Sequence, residues 1–239
     1  MPRFFVPPID GDVAVVDGEN GHHLARVLRV RIGEELLLCD GQGIDYRCET
    51  TDVAGDTVTL RVIDRSPSAG EPHTKVTLYQ GLPKSEKMEW IIQKAVELGV
   101  ARIVPVAMSR CVVRLNGNDG KKKQVRWQKI AAEAAGQSGR GAIPTVSEPY
   151  TFAQAVKESC NAPSIVFYEG GGEPLGDLVG VNTTQLSIWV GPEGGFDPQE
   201  IEQLQAVGVQ VATLGKRILR CETAPLAALA AIMALTDEM

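Results

Sequence analysis

Three glycines within five residues mark a place near the C-terminus where a ligand can bind the backbone. Gly191, Gly194 and Gly195 follow an apolar stretch and precede Asp197, a residue that can start a helix. Glycines at such a strand-to-helix turn let the backbone approach a ligand closely and adopt positive φ angles. Glu193 can accept hydrogen bonds from hydroxyl or amino groups. An ordinary turn is the alternative, but it does not need three glycines, so the pattern favours a ligand-binding loop.

A second loop that could carry chemistry follows the last apolar stretch. It begins near Leu214 and mixes basic residues and a glutamate with two aliphatic residues, Ile218 and Leu219. Its backbone can surround the edge of an adenine, with the aliphatic side chains against the ring. Arg220 can meet a phosphate or form a structural ion pair with Glu222, and such pairs are common.

The net charge of the chain is −6, but the charged residues are unevenly distributed along it. Residues 84–140 hold 12 basic and 5 acidic side chains, a net charge of +7, whereas residues 141–239 hold 4 basic and 12 acidic ones. A basic region of this kind is typical of surfaces that bind nucleic-acid phosphates. Solvated helix faces are the alternative. Arg26 and Arg29 offer further phosphate contacts in the acidic N-terminal part.

The N-terminal part has the pattern of short strands separated by turns. Strands are predicted at Val13–Val16, Glu35–Cys39, Ile44–Thr50 and Thr57–Ile63, with a helix at Gly21–Val30. Short strands with close turns predict a small barrel. The segment Ser66–Pro72, rich in serine, proline and glycine, predicts a linker.

From residue 73 onward, apolar strands alternate with helices, which predicts a mostly parallel sheet with helices on both faces. Strands are predicted at Lys75–Gln80, Arg102–Ala107, Ser164–Tyr168, Leu186–Val190 and Gln210–Leu214. Helices are predicted at Ser85–Leu98, Lys122–Ser138, Thr151–Glu158, Pro198–Ala206 and Pro225–Thr236. Ser85 and Thr223 are candidate N-caps, and Asp197 with Glu200 predicts a capping box.

Several protein classes are disfavoured by what the sequence lacks. The longest apolar stretch, Ala224–Leu235, is too short to span a membrane. The five scattered cysteines predict neither a disulfide framework nor a metal site, so no metal is expected and a reducing cytoplasm fits best. The motifs of dinucleotide binding, P-loop NTPases, zinc proteases and esterases are missing.

The two C-terminal loops together resemble those of a known enzyme class. Gly191–Phe196 (GPEGGF), followed by Leu214–Ala224 (LGKRILRCETA), resembles the SPOUT class of methyltransferases and, more narrowly, the ribosomal RNA small subunit methyltransferase E family. Lys84–Gly99, Trp127–Arg140 and His23–Arg29 agree with the same family, so the resemblance covers nearly the whole chain.

The resemblance implies a fold that periodicity and spacing do not reveal. Family members have a small PUA-like β-barrel that binds RNA, here residues 1–70, and a SPOUT domain, here residues 71–239. The mostly parallel sheet of the SPOUT domain is tied in a trefoil knot. Members are cytoplasmic homodimers that use S-adenosylmethionine to methylate N3 of a uridine in 16S ribosomal RNA of the small subunit. Cys221 is a departure, because the family commonly has threonine there.

Matched position by position, the resemblance implies three groups of site residues. The catalytic candidates are Arg220, which can stabilise an anionic base, and Glu193 and Glu222, which can accept a proton. The cofactor-binding residues are Phe167, Tyr168, Glu169, Gly191, Pro192, Glu193, Gly194, Gly195, Leu214, Gly215, Ile218, Leu219, Arg220, Thr223 and Ala224. The RNA-binding residues are Arg26, Arg29, Lys84, Lys87, Arg110, Arg114 and Arg140.

Two other interpretations stay open from the sequence. A non-catalytic RNA-binding factor for ribosome assembly would share the fold and the basic region but would not take up the cofactor. A metabolic enzyme that binds a dinucleotide on the glycine loops would act without RNA, and it leaves the charge of residues 84–140 unexplained.

Overall fold

The computed structural model describes residues 3–115 and 117–239, which form two compact units. The first unit runs up to Glu71 and also contains Ala135–Ile143, and the second contains Pro72–Ala134 and Pro144–Met239. In the described part of the chain, no helix has both the length and the apolar character needed to cross a membrane.

The first unit is built around a five-stranded sheet. Its elements are β1 (Arg3–Phe5), β2 (Val13–Val16), α1 (Gly18–His22), a π-helical turn (His23–Leu28), β3 (Glu35–Cys39), β4 (Ile44–Ala54) and β5 (Thr57–Pro67). The sheet order is β1-β3-β4-β5-β2, with β1 parallel to β3 and all other pairs antiparallel. Buried apolar side chains alternate with exposed ones along β2 and the first half of β5, which explains the two-residue period of their sequences.

The segment Ala135–Ile143, which the sequence analysis assigned to the second domain, is held within the first unit. The backbone N–H of Ile143 donates to the carbonyl of Gly41 at 2.9 Å. The guanidinium of Arg140 lies 2.8 Å from Oε2 of Glu71, and the two side chains are only 6% and 12% exposed. The other oxygen of the same carboxylate accepts two backbone N–H groups of the segment, at 3.0 Å each.

The second unit is an α/β unit with an eight-stranded parallel sheet. Its elements are β6 (Lys75–Gly81), α2 (Lys87–Glu97), β7 (Arg102–Ala107), α3 (Gly117–Gln137, which ends in the first unit), β8 (Thr145–Val146), β9 (Tyr150–Thr151), α4 (Phe152–Ser159), β10 (Ser164–Phe167), β11 (Glu173–Pro174), α5 (Leu175–Leu178), β12 (Gln185–Val190), α6 (Pro198–Ala206), β13 (Gln210–Thr213) and α7 (Ala224–Leu235).

The order of this sheet is β11-β13-β10-β12-β6-β7-β8, and β9 also pairs with β7. All of these strand pairs are parallel. Every residue of β10 and nearly every residue of β12 is buried, which requires cover on both faces of the sheet. The predicted mixed α/β architecture with a parallel sheet is therefore confirmed.

Helix starts were predicted with mixed success. The capping box is confirmed, because Asp197 accepts the N–H of Gln199 at 3.1 Å while Glu200 accepts the N–H of Asp197 at 3.0 Å. The cap at Ser85 is wrong: this residue has a φ of +55°, outside the extended conformation of an N-cap, and α2 begins at Lys87 instead.

Other differences concern short or irregular elements. The predicted helix at Gly21–Val30 is instead α1 followed by the π-helical turn, and Arg29 ends it with a φ of +55°. Strands β1, β8, β9 and β11 are two or three residues long, too short to show a period in sequence. Thr223 stands at the start of α7 but makes no side-chain cap there.

Replacing Arg140 with methionine is expected to destabilise the first unit by about 3–5 kcal/mol, because the carboxylate of Glu71 would stay buried without its cation. Urea unfolding of the full chain measures this change. The control is Arg126→Met, since the guanidinium of Arg126 pairs with Glu89 while 64% exposed. Loss of this surface pair should cost less than about 1 kcal/mol. Equal effects in the two variants would contradict a structural role for Arg140.

Candidate functional site

Three loops at the carboxyl edge of the parallel sheet enclose a cavity of about 520 Å³. They leave β10, β12 and β13, and β10 lies between the other two in the sheet. Because parallel strands end at the same edge, the three loops meet although they are distant in sequence. This is the edge at which open α/β sheets bind their ligands.

The cavity brings together nearly all residues that the sequence analysis assigned to cofactor binding. Those lining it are Phe167, Tyr168, Glu169, Gly191, Pro192, Glu193, Gly194, Gly195, Leu214, Gly215, Ile218, Leu219, Arg220 and Ala224. Thr223 does not line the cavity; its backbone N–H donates to the carbonyl of Arg220 at 2.9 Å.

Part of the lining was not predicted from the sequence. The additional residues are Val190, Phe196, Thr213, Lys216, Arg217 and Cys221, and Lys87 joins them from α2. Most lie between residues that were predicted, so continuity along each loop is a signal that could have found them. Lys87 is different, because nothing local in sequence connects it with the C-terminal loops.

The glycine loop lies directly against the end of β6. A Cβ atom on Gly81 would be 2.6 Å from the backbone nitrogen of Pro192, so no larger residue fits without moving the loop. The buried amide of Gln80 donates to the carbonyl of Gly191 at 3.3 Å. Gly195 has a φ of +66°, a conformation that favours glycine. The close contact with Gly81 and the hydrogen bond from Gln80 therefore fix the backbone of the glycine loop against the end of β6.

An ammonium between two carboxylates joins α2 to two of the loops. Nζ of Lys87 lies 3.2 Å from Oε1 of Glu193 on the β12 loop and 3.1 Å from Oε2 of Glu222 on the β13 loop. The backbone N–H of Lys84 donates to Oε1 of Glu193 at 3.0 Å. The thiol of Cys221 donates to Oε2 of Glu222 at 3.2 Å. We call Lys87, Glu193, Cys221 and Glu222 the Lys87 cluster.

The cluster stabilises the charged forms of Lys87, Glu193 and Glu222. Burial would raise the pKa of Glu193, but the backbone hydrogen bond from Lys84 and the ammonium of Lys87 bring it below its ordinary value. Burial would also raise the pKa of Glu222, but the Cys221 thiol and Lys87 lower it. Hydrogen bonds to Glu222 and Glu193 raise the pKa of Lys87.

Cys221 is a neutral donor rather than a nucleophile. Burial, its hydrogen bond to Glu222 and the nearby charge of Glu193 raise the pKa of its thiol to about 12. A thiol with such a pKa stays protonated at neutral pH. It therefore supplies the hydroxyl-like hydrogen bond that a threonine could give at the same position.

The three catalytic candidates have different surroundings. Glu193 and Glu222 belong to the Lys87 cluster. Arg220 lines the cavity, is exposed, and has no side-chain hydrogen bond or ion pair with any described residue. The ion pair between Arg220 and Glu222 that the sequence allowed is not formed, because Glu222 pairs with Lys87.

Several of the predicted RNA-binding side chains are engaged within the protein. Nη1 of Arg110 donates to the carbonyl of Gly194 at 3.2 Å, and Arg114 donates to the carbonyl of Ser109 at 3.2 Å. In the first unit, Arg26 pairs with Asp56 at 2.7 Å.

Two of the seven RNA-binding predictions meet a physical obstacle. Arg140 is buried against Glu71 and cannot present its guanidinium to a phosphate. The ammonium of Lys87 is held between two carboxylates. Arg29 and Lys84 are exposed, as an RNA contact requires. Among the described residues, no group of three or more His, Cys, Asp or Glu side chains is arranged to hold a metal ion.

Replacing Lys87 with methionine is expected to raise the pKa of both Glu193 and Glu222, which can be followed by NMR of their carboxyl carbons. The depressed pKa values stabilise the folded protein above about pH 4.3, the ordinary value for glutamate, and this stabilisation is lost as pH falls through the folded-state values. The advantage in stability of the natural chain over Lys87→Met should therefore shrink below that pH.

Lys84→Met is the matched control, because only the backbone of Lys84 is shown in contact with Glu193. It removes one ammonium from the same region and should leave both carboxyl titrations in place. If the two variants shift the titrations equally, general charge rather than the contacts of Lys87 governs the pKa values.

Two family models match this chain. Residues 70–233 match the RNA methyltransferase domain, and residues 16–63 match the RNA methyltransferase PUA domain. The ribosomal RNA small subunit methyltransferase E of Bacillus subtilis is 37% identical over 230 residues, which are 93% of this chain and 90% of that protein.

Solved structures are similar over the full length. The ribosomal RNA small subunit methyltransferase E of Neisseria gonorrhoeae, bound to S-adenosylmethionine, is 35% identical with a TM-score of 0.86, covering 98% of each chain. A Legionella pneumophila protein in complex with the same cofactor is 31% identical with a TM-score of 0.83, covering 97% of this chain and 96% of that one. The chain therefore belongs to the ribosomal RNA small subunit methyltransferase E family.

Proposed function

We propose that the chain transfers a methyl group from S-adenosylmethionine to N3 of a uridine in 16S ribosomal RNA of the small subunit. The proposal is carried by the cavity that three loops form at the ends of β10, β12 and β13. Relatives named for methylation of small-subunit ribosomal RNA, and related structures bound to S-adenosylmethionine, support it.

The cavity suits this cofactor in size and lining. Its volume of about 520 Å³ falls in the range of pockets for ligands of this size, roughly 300–1,000 Å³. Phe167 and Leu219 offer apolar surface to an adenine, and the backbone of the glycine loop offers hydrogen-bonding groups. The carboxylates of Glu169 and Glu193 can accept hydrogen bonds from ribose hydroxyls or an ammonium. The cofactor-binding residues proposed are those named above, without Thr223.

When bound, S-adenosylmethionine supplies a methyl group that its sulfonium makes electrophilic, so alignment of the target atom contributes much of the rate. Neutral uracil carries a proton at N3 and attacks poorly. The exposed guanidinium of Arg220 at the cavity can stabilise the negative charge that develops on the base as this proton leaves. A paired base cannot reach the cavity, so the uridine must be unpaired or extruded.

The two glutamates suit a different task from the one first assigned to them. Their pKa values are lowered by the contacts of the Lys87 cluster, and a carboxylate with a lowered pKa is a weaker base at neutral pH. We assign Glu193 and Glu222 to holding two loops in register through Lys87. The proton on N3 then leaves to another acceptor, for which solvent is available at the open side of the site.

The proposed RNA contacts use the exposed cations that remain on each unit, taken by itself. These are Lys84, Arg110 and Arg114 in the second unit and Arg26 and Arg29 in the first. Arg110 also braces Gly194, so it links RNA contact to the position of the glycine loop. Arg140 is excluded because it is buried, and Lys87 because its ammonium is held between two carboxylates. Arg26 is kept because it has a single carboxylate partner and its side chain is 60% exposed.

We further propose a homodimer, formed through α2 and α7. The two helices pack against each other, and Trp90 on α2 is 46% exposed. Helix α7 is apolar along its whole length, yet Leu226, Ala227 and Ala230 are only half-buried. Aromatic residues are enriched at subunit interfaces, and a helix that is apolar along its whole length needs cover on its remaining face.

The finer fold assignments belong to the same proposal. The chain passes from β12 over β10 to β13, and its last loop returns beside the glycine loop. This path is compatible with the trefoil knot that the resemblance implies. The five-stranded sheet of the first unit is likewise compatible with a PUA-like barrel that binds RNA. A cytoplasmic location follows for a protein that acts on ribosomal RNA.

Mass mapping of 16S ribosomal RNA incubated with the protein and labelled S-adenosylmethionine tests the function. One methylated uridine, modified at N3, is expected. Absence of cofactor binding would favour the non-catalytic assembly factor instead. Methylation at another base or atom would refute the uridine-N3 assignment, and turnover without RNA would favour a metabolic enzyme.

Gly195→Ala sharpens the same experiment. A side chain at the φ of +66° costs about 1–2 kcal/mol, and its Cβ would lie 2.5 Å from Oε1 of Glu169, so the free loop should move away from its present path. Restoring that path on binding should weaken cofactor affinity, measured by calorimetry, by about 5- to 30-fold. The matched control is Gly180→Ala, whose new Cβ would meet open space and which needs no positive φ. Equal affinities in the two variants would count against the glycine loop as a cofactor wall.

Trp90→Glu tests the dimer. A buried carboxylate would disfavour the interface, so sedimentation equilibrium should show a shift towards monomer. Trp90→Phe keeps an apolar ring and should remain dimeric. A Trp90→Glu protein that associates as strongly as the natural chain would place the interface elsewhere or refute the dimer.

A further inference from the structure

Basic residues are scarce in the last part of the chain, and three of them stand together. Residues 141–239 contain 12 acidic but only 4 basic side chains. Lys216, Arg217 and Arg220 fall within five residues on the loop that follows β13, and only Lys157 lies elsewhere. Three of the four cations of this acidic region therefore stand on one loop.

These cations are exposed at the cavity and are not neutralised. Lys216, Arg217 and Arg220 all line it, and none of them has a side-chain hydrogen bond or ion pair with a described residue. The carboxylate closest along the chain, Glu222, is paired with Lys87 instead. The loop therefore presents positive charge to whatever enters from solvent.

An aliphatic side chain projects between the cations. Ile218 is 87% exposed, more than any other large hydrophobic residue that the structure describes as exposed. A single exposed isoleucine is common on protein surfaces, so Ile218 is informative only because it stands between Arg217 and Arg220 at the cavity. A surface that combines cations with one protruding apolar residue suits a nucleotide, which has an anionic phosphate and an apolar base face.

Both ends of this loop are fixed, so its tip is presented in a defined place. At the start, Gly215 has a φ of +99° and its N–H donates to the hydroxyl of Thr213 at 3.1 Å. At the end, the carbonyl of Arg220 accepts the N–H of Ala224 at 2.9 Å, at the beginning of α7. The exposed side chains lie between these anchors.

We infer that Lys216, Arg217 and Ile218 form an RNA-binding lip on the cofactor loop. This inference rests on the proposed function and deepens it. Lys216 and Arg217 contact the phosphates beside the target uridine, and Ile218 packs against the base or sugar presented there. A uridine that reaches the cavity must carry its flanking phosphates to the rim, where cations stabilise them.

The lip gives one loop two tasks. Its backbone and Leu219 form a wall of the cofactor cavity, while its outward side chains face the RNA. Placing both tasks on one anchored segment couples the position of the methyl donor to that of the acceptor.

The test compares RNA binding of the full-length natural chain with Lys216→Ala, Arg217→Ala and the double variant, over a series of salt concentrations. RNA affinity of the double variant should fall on the order of tenfold at low salt. The slope of log affinity against log salt should lessen by about 0.7 for each single-strand phosphate that the protein no longer neutralises. Cofactor affinity should fall much less than RNA affinity, because the loop backbone and Leu219 are left intact in these variants and also line the cavity.

Lys157→Ala is the matched control. It removes one positive charge from the same acidic region, on α4 and away from the cavity. If Lys157→Ala changes RNA affinity and salt slope as much as Arg217→Ala does, net charge alone explains the effect. That result would refute the RNA-binding lip.

Further outcomes separate this inference from the proposed function. If the natural chain methylates RNA but the double variant keeps its RNA affinity and salt slope, the lip is refuted and the function stands. Weaker cofactor binding at unchanged RNA affinity would assign the cations to the cofactor carboxylate. A shift from dimer to monomer at unchanged RNA affinity would assign the loop to a subunit contact, and both results overturn the inference.

Ile218→Ser should lower RNA affinity without altering the salt slope, since it removes no charge.

Discussion

The backbone hydrogen bonds that place β10 between β12 and β13 determine where the site lies. Each strand alone would deliver its loop to an arbitrary position, but parallel pairing brings the three carboxyl ends to one edge within a few residues of each other. The glycine loop, the basic loop and the loop after β10 thus enclose a common volume. The contact between Gly81 and Pro192 then sets how close the glycine loop lies to the sheet.

Charge balance at this edge follows from the same arrangement. The loops after β12 and β13 each carry a glutamate towards α2, where one ammonium meets both. Because Lys87 occupies these carboxylates, the arginine and lysine side chains of the last loop keep their positive charge available. The acidic composition of the C-terminal region and its ability to meet an anionic polymer are therefore compatible.

Local patterns predicted the longer elements and two ligand-binding loops, because glycine spacing, apolar periodicity and caps are properties of short segments. Asp197 and Glu200 form their predicted box for this reason. The family resemblance added the rest of the predicted cavity lining, such as Phe167 and Tyr168 after β10. The partners of Lys87 lie more than a hundred residues away, and Glu71 is 69 residues from Arg140. No local pattern connects such residues, so a lysine and an arginine assigned to RNA proved to have carboxylate partners inside the protein. The order of the strands in the sheet could not be predicted from local patterns either, since parallel pairing depends on contacts between distant segments.

The return of Ala135–Ile143 to the first unit bears on how separable the two parts of the chain are. A fragment cut at the linker would end at Glu71 and would lack Arg140. It would also lack the backbone N–H groups of Gly141 and Ala142, which donate hydrogen bonds to the carboxylate of Glu71. The N-terminal sheet is thus not a domain that could be transferred to another protein by one cut in the chain. An insertion or deletion within α3 would affect both units, because this helix begins in the second unit and ends in the first.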